Sequence, residues 1–269
     1  GEQPGGDLPG SCGANMRLTG LMSAEAWMNL WTMKRYLFNT LAMVVVMYLI
    51  FLGLFTGLRT FAGERASGES LDAMVVGYVL WMSAMFALQG TSGIVLQESQ
   101  QGTLEQLYLS PMGTERIFLA KAVIGTVFNF VILTIMLYLV MLTTGRWHSV
   151  NLPLFYGMLL LTLLSLQGIG FMLGGIGLIH KRIGAVNSIL SFGLIGLMML
   201  PVYPFTPWAL LPFIAGAHTI NSQIVTDAAF PAWWYLFIAG NSLFYLGVGI
   251  AVFRVFERRA RKLGKLGQY

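Results

Sequence analysis

Charged side chains are scarce in this sequence. Of its 269 residues, 10% are Asp, Glu, Lys or Arg and 56% are hydrophobic, and the mean hydropathy is +0.71. A soluble domain usually carries about 25% charged residues. The composition therefore excludes an ordinary soluble protein. Because only short polar connections separate the apolar runs, we expect one membrane-embedded domain.

Residue types that carry chemistry are also rare. Cys12 is the only cysteine, so no intrachain disulfide can form, and the isolated His148, His180 and His218 lack metal-ligand spacing. The phosphate-binding pattern Gly-x-x-x-x-Gly-Lys-Ser/Thr is absent. We therefore expect no catalytic residue, metal site or cofactor site in this chain.

Residues 1–15 contain Gly and Pro but no apolar run. We expect this segment to be disordered, and whether it is native is left open. It lacks the basic start and the apolar core of a cleavable signal, so the first membrane span is expected to target the chain. Residues 16–269 are expected to form the membrane domain.

Long apolar runs predict an all-α protein with six transmembrane helices. The predicted spans cover about residues 36–58, 73–97, 117–145, 153–179, 183–200 and 232–253. At about 1.5 Å per residue, runs of this length cross a hydrocarbon core of roughly 30 Å. They lack the alternation of barrel strands. The fifth span is expected to end near Leu200, because Pro201, Pro204, Pro207 and Pro212 follow it.

The basic residues predict the orientation of these spans. Of the 16 Lys and Arg residues, 13 fall on the side that holds both termini, including those of a basic tail at residues 254–269. By the positive-inside rule both termini are expected to be cytoplasmic. We therefore expect a multi-pass protein of the cell (inner) membrane, of prokaryotic origin, whose basic tail contacts lipid headgroups rather than nucleic acid.

A segment ahead of the first span has the pattern of an amphipathic helix. Trp27 and Trp31 recur at helical spacing, and Lys34 and Arg35 close the segment. This pattern favours a helix that lies in the cytoplasmic interface. A simple extension of the first span below the membrane is the alternative.

The most informative stretch connects the second and third spans on the cytoplasmic side. It reads E-S-Q-Q-G-T-L-E-Q-L-Y-L-S-P from Glu98 to Pro111. A short helix is predicted here, since Thr103 and Gln106 fit a capping box, Gly102 permits the preceding turn, and Ser110-Pro111 disfavours continuation. Its apolar stripe, formed by Leu104, Leu107 and Tyr108, and its acidic residues, Glu98 and Glu105, suit either a protein partner or the bilayer surface.

The run Gly102-Thr103-Leu104-Glu105-Gln106-Leu107, preceded by Glu98 and followed by Ser110-Pro111, resembles the cytoplasmic signature of type-2 ABC exporter permeases. In that family the segment is the coupling helix that docks on an ATP-binding subunit. The resemblance implies two copies of an ABC ATPase, which bind ATP and Mg, and a second permease, identical or homologous. It also implies short re-entrant outer helices between spans five and six, where Tyr203, Phe205 and Trp208 would form an outer gate.

Polar residues inside the spans are few and uncharged. Ion-coupled carriers generally need titratable groups at membrane depth, so energy is expected to enter elsewhere. Most of the amides are expected to form interhelical hydrogen bonds, and Gln89 and Gln167 are the candidate pathway residues. Two pairs of small residues, Gly53/Gly57 and Gly170/Gly174, predict close helix contacts within one protomer or across a dimer.

The function expected from these observations is that of a membrane subunit of an ATP-driven exporter for an amphipathic, lipid-like or glycan substrate. Two alternatives stay open. One is a scaffold subunit of a membrane complex that does not transport. The other is an intramembrane enzyme that modifies lipid, for which the predicted spans offer no converging acids, bases or metal ligands.

Overall fold

The computed structural model describes residues 10–35, 37–62, 68–100, 103, 107, 114–145, 152–180 and 183–262. All regular secondary structure in these residues is helical. The helices are α1 (Gly10–Arg35), α2 (Leu37–Ala62), α3 (Gly68–Gln100), α4 (Thr114–Thr144), α5 (Leu152–His180), α6 (Gly184–Met198), α7 (Ile214–Thr226) and α8 (Ala232–Lys262), with a 3-10 turn at Pro207–Leu210.

Five of these helices are long and apolar enough to cross a membrane: α2, α3, α4, α5 and α8. Each begins and ends within a few residues of a span predicted from the sequence, except that α8 continues through the first part of the basic tail to Lys262. The predicted fifth span corresponds to α6, which has only 15 residues. At about 1.5 Å per residue it measures roughly 22 Å, less than the hydrocarbon core.

The first helix begins earlier than the sequence analysis expected. α1 starts at Gly10, so residues 10–15, for which disorder was expected, are helical, while residues 1–9 lie outside the described part of the chain. α1 ends at Arg35, and α2 begins at Leu37. α1 packs mainly on α4 rather than on α2, which favours a separate interfacial element over an extension of the first span.

Glycines allow α5 to pack closely against two neighbouring helices. A Cβ at Gly249 of α8 would overlap the backbone carbonyl of Gly168, and a Cβ at Gly175 would lie 3.1 Å from Phe253 Cα. On another face of α5, Cβ atoms at Gly170 and Gly174 would lie 2.7 and 3.0 Å from side-chain carbons of α3. The Gly170/Gly174 pair therefore packs within the protomer, and α5 lies between α3 and α8.

Side-chain hydrogen bonds connect α3 and α6 within an otherwise apolar bundle, and we call this row of bonds the polar seam. Trp81 Nε1 donates to the Ser191 carbonyl at 2.8 Å, and Gln89 Nε2 donates to Ser191 Oγ at 3.2 Å. One turn later on α3, Ser92 Oγ accepts a hydrogen bond from Asn187 Nδ2 at 2.6 Å. The opposite face of α6 is exposed and apolar, with Ile189 at 71% and Phe192 at 64%.

The segment between α6 and α8 descends alongside the bundle. Tyr245 Oη donates to the Leu210 carbonyl at 3.1 Å, and Asn241 Nδ2 donates to the Leu211 carbonyl at 3.4 Å. Tyr245 lies nearly four turns after the start of α8 at Ala232, or about 20 Å along its axis. The 3-10 turn therefore lies beside the middle of α8 rather than beside its N-terminal end.

α7 then returns towards the N-terminal end of α8. Gly216 lies directly against Thr162 of α5, where a side chain would not fit. Near the other end, Trp234 Nε1 donates to Thr219 Oγ1 at 2.7 Å, and Gln223 Nε2 donates to Tyr235 Oη at 2.6 Å. α7 ends at Thr226, where Asp227 adopts the left-handed conformation with φ 49°.

Candidate functional site

A cluster of charged side chains connects three helices next to the predicted coupling segment, which runs from Glu98 to Pro111. Lys121 Nζ of α4 lies 2.9 Å from Glu98 Oε1 at the end of α3 and 3.4 Å from Glu25 Oε1 of α1. The three side chains are only 11–16% exposed. A cation between two carboxylates in such a place is strongly held, because solvent screens it little. We call Glu25, Glu98 and Lys121 the charged triad.

The charged triad extends into the coupling segment through Thr103. Thr103 Oγ1 donates a short hydrogen bond to Glu98 Oε2 and lies 3.2 Å from the Glu98 carbonyl oxygen. The Leu107 amide donates to the Thr103 carbonyl at 3.1 Å, which is the spacing of an α-helical turn. Thr103 therefore connects the start of this turn to the end of α3.

Apolar contacts hold the same segment against the bundle. Leu107 packs against a buried cluster that includes Val95, Phe118 and Phe253, from α3, α4 and α8. One turn before Phe118, Thr114 Oγ1 at the start of α4 donates to Glu257 Oε1 of α8 at 2.9 Å. A displacement of Leu107 or Thr103 would thus act on several helices at once.

Most of the residues that the sequence predicts for the coupling helix lie outside the described part of the chain: Gly102, Leu104, Glu105, Gln106, Tyr108, Ser110 and Pro111. Their ATPase-coupling role stays a prediction. Sequence reasoning missed Glu25 and treated Lys121 only as a topological charge. The one available signal was an acidic residue within the amphipathic pattern of α1, and its partner could not be read from the sequence.

The face of α1 opposite the charged triad is aromatic and exposed. Trp27 and Trp31 are 64% and 56% exposed, and their rings meet edge to face with centroids 5.9 Å apart. Lys34 Nζ lies 5.6 Å from the centroid of the Trp31 ring, and Arg35 ends the helix. An acidic anchor on one face and tryptophans on the other suit a helix that lies at the membrane interface.

A second feature is a large cavity between α2, α3, α6 and α7. It has a volume of about 1060 Å³ and is partly open. Gly53 and Gly57 of α2 line it, and a Cβ at either position would meet no atom within 4 Å. This glycine pair therefore has no packing partner in the described protomer and instead leaves space along the cavity wall.

One face of α7 supplies polar groups to this cavity. His218, Asn221, Ser222 and Thr226 line it, and Glu69 lies at the N-terminal end of the α3 wall. His218 Nδ1 and Asn221 Oδ1 are buried and have no hydrogen-bond partner within the described residues. Burial lowers the pKa of the His218 imidazole below its ordinary value, which favours the neutral ring.

The two predicted pathway amides do not line this cavity. Gln167 is fully buried, and its Nε2 donates to Thr126 Oγ1 of α4 at 2.8 Å. Gln89 belongs to the polar seam between α3 and α6. Both form interhelical hydrogen bonds, as the sequence analysis expected for most of the amides, and their pathway role stays a prediction.

Two of the predicted outer-gate residues have aromatic neighbours, and the third, Trp208, lies within the 3-10 turn. The Tyr203 ring meets Phe230 and Trp234 edge to face, with centroids 5.1 and 5.4 Å apart, and Phe205 meets Phe237 at 5.3 Å. Tyr203, Phe205 and Trp208 are each 42–52% exposed. Their gating role stays a prediction.

Among the described residues, no group of three or more His, Cys, Asp or Glu side chains could hold a metal ion.

The comparisons with known proteins agree with a transport subunit. A family model described as ABC-2 type transporter matches residues 17–221, which is most of the chain. No curated protein sequence matches the chain. The chain is a multi-pass membrane protein and belongs to the ABC-2 type transporter family of membrane permeases.

Proposed function

We propose that this chain is the membrane subunit of an ATP-driven exporter in the cell (inner) membrane of a prokaryote, with both termini in the cytoplasm. It moves an amphipathic, lipid-like or glycan substrate outwards. The observation that carries this proposal is the charged triad, which joins the coupling segment at Thr103 to α1, α3 and α4. Energy comes from two copies of a separate ABC ATPase that bind ATP and Mg.

The charged triad gives a physical route for this energy. When ATP draws the two ATPase subunits together, the segment from Glu98 to Pro111 moves with them. Because Glu98 and Lys121 are bonded at 2.9 Å and Lys121 also pairs with Glu25, the ends of α3 and α4 and the interfacial helix move as a unit. Transport requires that the ATPase binds two arrangements of these helices with different affinity.

A second permease, identical or homologous, completes the pathway. The apolar outer faces of α2 and α6 support this part of the proposal, since most of α2 is exposed along its length, and Ile189 and Phe192 of α6 protrude. Pairing would cover these faces. Membrane lipids cover whatever the partner leaves exposed.

The outer segment is proposed to re-enter the membrane and to gate release. The Leu210 carbonyl at the end of the 3-10 turn accepts from Tyr245, about 20 Å along α8 from Ala232, and this contact supports a position of the turn within a hydrocarbon core of about 30 Å. Backbone without regular helix is tolerated at that depth where it is packed against protein. Tyr203, Phe205 and Trp208 would move with this segment.

Reconstitution with a partner ATPase tests the proposal. Nanodiscs that hold both subunits are expected to hydrolyse ATP faster when substrate is added. Glu105→Lys is expected to weaken assembly, because it reverses the charge of the docking helix, whereas Glu98→Gln is expected to keep assembly but reduce the stimulation. Assembly without stimulated hydrolysis would support the scaffold alternative, and unchanged assembly and hydrolysis in Glu105→Lys would contradict docking at this helix.

A further inference from the structure

The cavity between α2, α3, α6 and α7 is not required for ATPase coupling, yet it has the properties of a ligand site. Its volume of about 1060 Å³ lies at the upper end of the range of about 300–1,000 Å³ that is typical of small-molecule pockets. The charged triad and the coupling segment contribute no residue to its described lining. The role of this cavity therefore needs a separate explanation.

Most of the cavity wall is apolar and adaptable. Leu54 and Leu58 of α2, Met74 of α3, and Ile195 and Met198 of α6 line it. Methionine side chains are flexible and polarisable, so they can pack against apolar groups of varied shape. This wall favours a hydrocarbon or an aromatic group.

The polar part of the wall is confined to one helix face and one end. His218 and Asn221 lie one turn apart on α7, and each has a buried atom without a partner in the described residues. An unsatisfied buried polar atom costs about 1–3 kcal/mol, so a ligand is favoured if rotation of these side chains brings their unpaired atoms into hydrogen bonds with it. A purely apolar lipid chain would leave both atoms unsatisfied.

The charge of the lining distinguishes among polar ligands. Glu69 is the acidic side chain of the described lining, and none of the described lining residues is Lys or Arg. His218 does not offset this charge, because burial favours its neutral form. A phosphate or sulfonate group would therefore be repelled, whereas an ammonium group would be attracted and could donate hydrogen bonds.

We propose that this cavity binds a cationic amphiphile, with its apolar part against α2, α3 and α6 and its ammonium group near Glu69 and the polar face of α7. The inference rests on the proposed function in one respect, because it identifies this amphiphile as the cargo. It selects a cationic amphiphile over an anionic lipid or a lipid-linked glycan phosphate.

Two fluorescent probes of matched shape test the charge preference. Dansylcadaverine carries a primary ammonium, and dansyl-6-aminohexanoic acid carries a carboxylate on a similar chain. Each is titrated into nanodiscs that contain the purified permease, and the signal of empty nanodiscs is subtracted. The ammonium probe is expected to bind saturably and at least several-fold more tightly. Equal or tighter binding of the carboxylate probe would overturn the proposal.

Three variants locate the binding, and two more are controls. Glu69→Gln should raise the Kd of the ammonium probe about two- to fivefold, and Asn221→Leu about three- to tenfold. Gly57→Trp, which fills open space in the cavity, should abolish saturable binding, whereas Gly240→Trp, at an exposed glycine of α8 with equal space, should not. The charge control is Asp227→Asn, which removes an exposed acid that lies outside this cavity. Unchanged binding in both Gly57→Trp and Glu69→Gln would exclude the site.

The titration needs no ATPase, so the two proposals can fail separately. Binding of the ammonium probe at the cavity without ATPase assembly would support the site and contradict the exporter. ATPase assembly with stimulated hydrolysis, but with no binding at the cavity, would support the exporter and contradict the site.

Discussion

At the scale of single residues, the charged triad depends on Lys121. Its Nζ is the cation between Glu25 and Glu98, and all three side chains are mostly buried. Lys121→Met keeps most of the side-chain volume but leaves two carboxylates without their counter-ion. Because breaking a buried ion pair from one side costs several kcal/mol, we expect the free energy of unfolding to fall by about 3 kcal/mol. Thermal unfolding in nanodiscs, followed by tryptophan fluorescence, measures this change.

Lys34→Met is the matched control for that variant. Lys34 is likewise a lysine on a helix, but it is exposed. Its contact with the Trp31 ring is worth only about 0.5–1 kcal/mol. A loss of stability in Lys34→Met as large as that in Lys121→Met would mean that general positive charge at the cytoplasmic side, rather than the charged triad, stabilises the protein.

The same residues show where sequence reasoning ends. Hydropathy places Lys121 outside the hydrocarbon core because a free charge avoids lipid, and this needs no partner. Its pairing with Glu25 arises only when α1 packs on α4, a tertiary contact that neither segment encodes alone. Likewise, the polar face of α7 follows helical spacing in the sequence, but its exposure to a cavity depends on α2 and α6.

At the scale of helices, the crossing of α5 and α8 depends on glycine. A Cβ at Gly249 would overlap the backbone of Gly168, and backbone atoms cannot rotate away. Gly249→Ala must therefore separate the two helices, and overpacking of this kind costs about 1–3 kcal/mol. Gly240→Ala on the same helix meets open space, so it should be neutral or slightly stabilising through helix propensity. Thermal unfolding of the two variants, compared with the unchanged chain, separates packing from propensity. Equal effects would contradict the close crossing.

The helices themselves were predictable where hydrophobicity alone decides them. The bounds of α2, α4 and α5 lie within about four residues of the predicted spans, because a membrane-embedded segment must satisfy its backbone within its own helix. The bounds of α6 were predicted equally well, since Pro201 and the turns after it end the helix, although its 15 residues are too few to cross the hydrocarbon core as a regular helix. The register of Gly168 against Gly249 was not predictable, because small-residue spacing indicates a contact face but not its partner.

At the scale of the whole molecule, the position of the termini depends on α6. The five long helices alone would place the two ends of the chain on opposite sides of the membrane. The positive-inside asymmetry instead predicts both ends on one side, and hence a sixth crossing by α6 and the segment that follows it. A helix of about 22 Å can cross if the bilayer thins locally or if packed irregular backbone completes the span.

Single-cysteine labelling measures this topology. In a Cys12→Ser background, cysteines are placed at Glu105, Asp227 and Tyr269, and intact cells are treated with a membrane-impermeant maleimide. Asp227→Cys is expected to react in intact cells, because α7 ends at the outer side, whereas Glu105→Cys and Tyr269→Cys should react only after permeabilisation. Labelling at position 105 in intact cells would place the coupling segment outside the cell, where it could not contact the ATPase. Protection at position 227 in intact cells, with labelling there after permeabilisation, would mean that α6 does not cross, and the outer gate would then have no outer side on which to open.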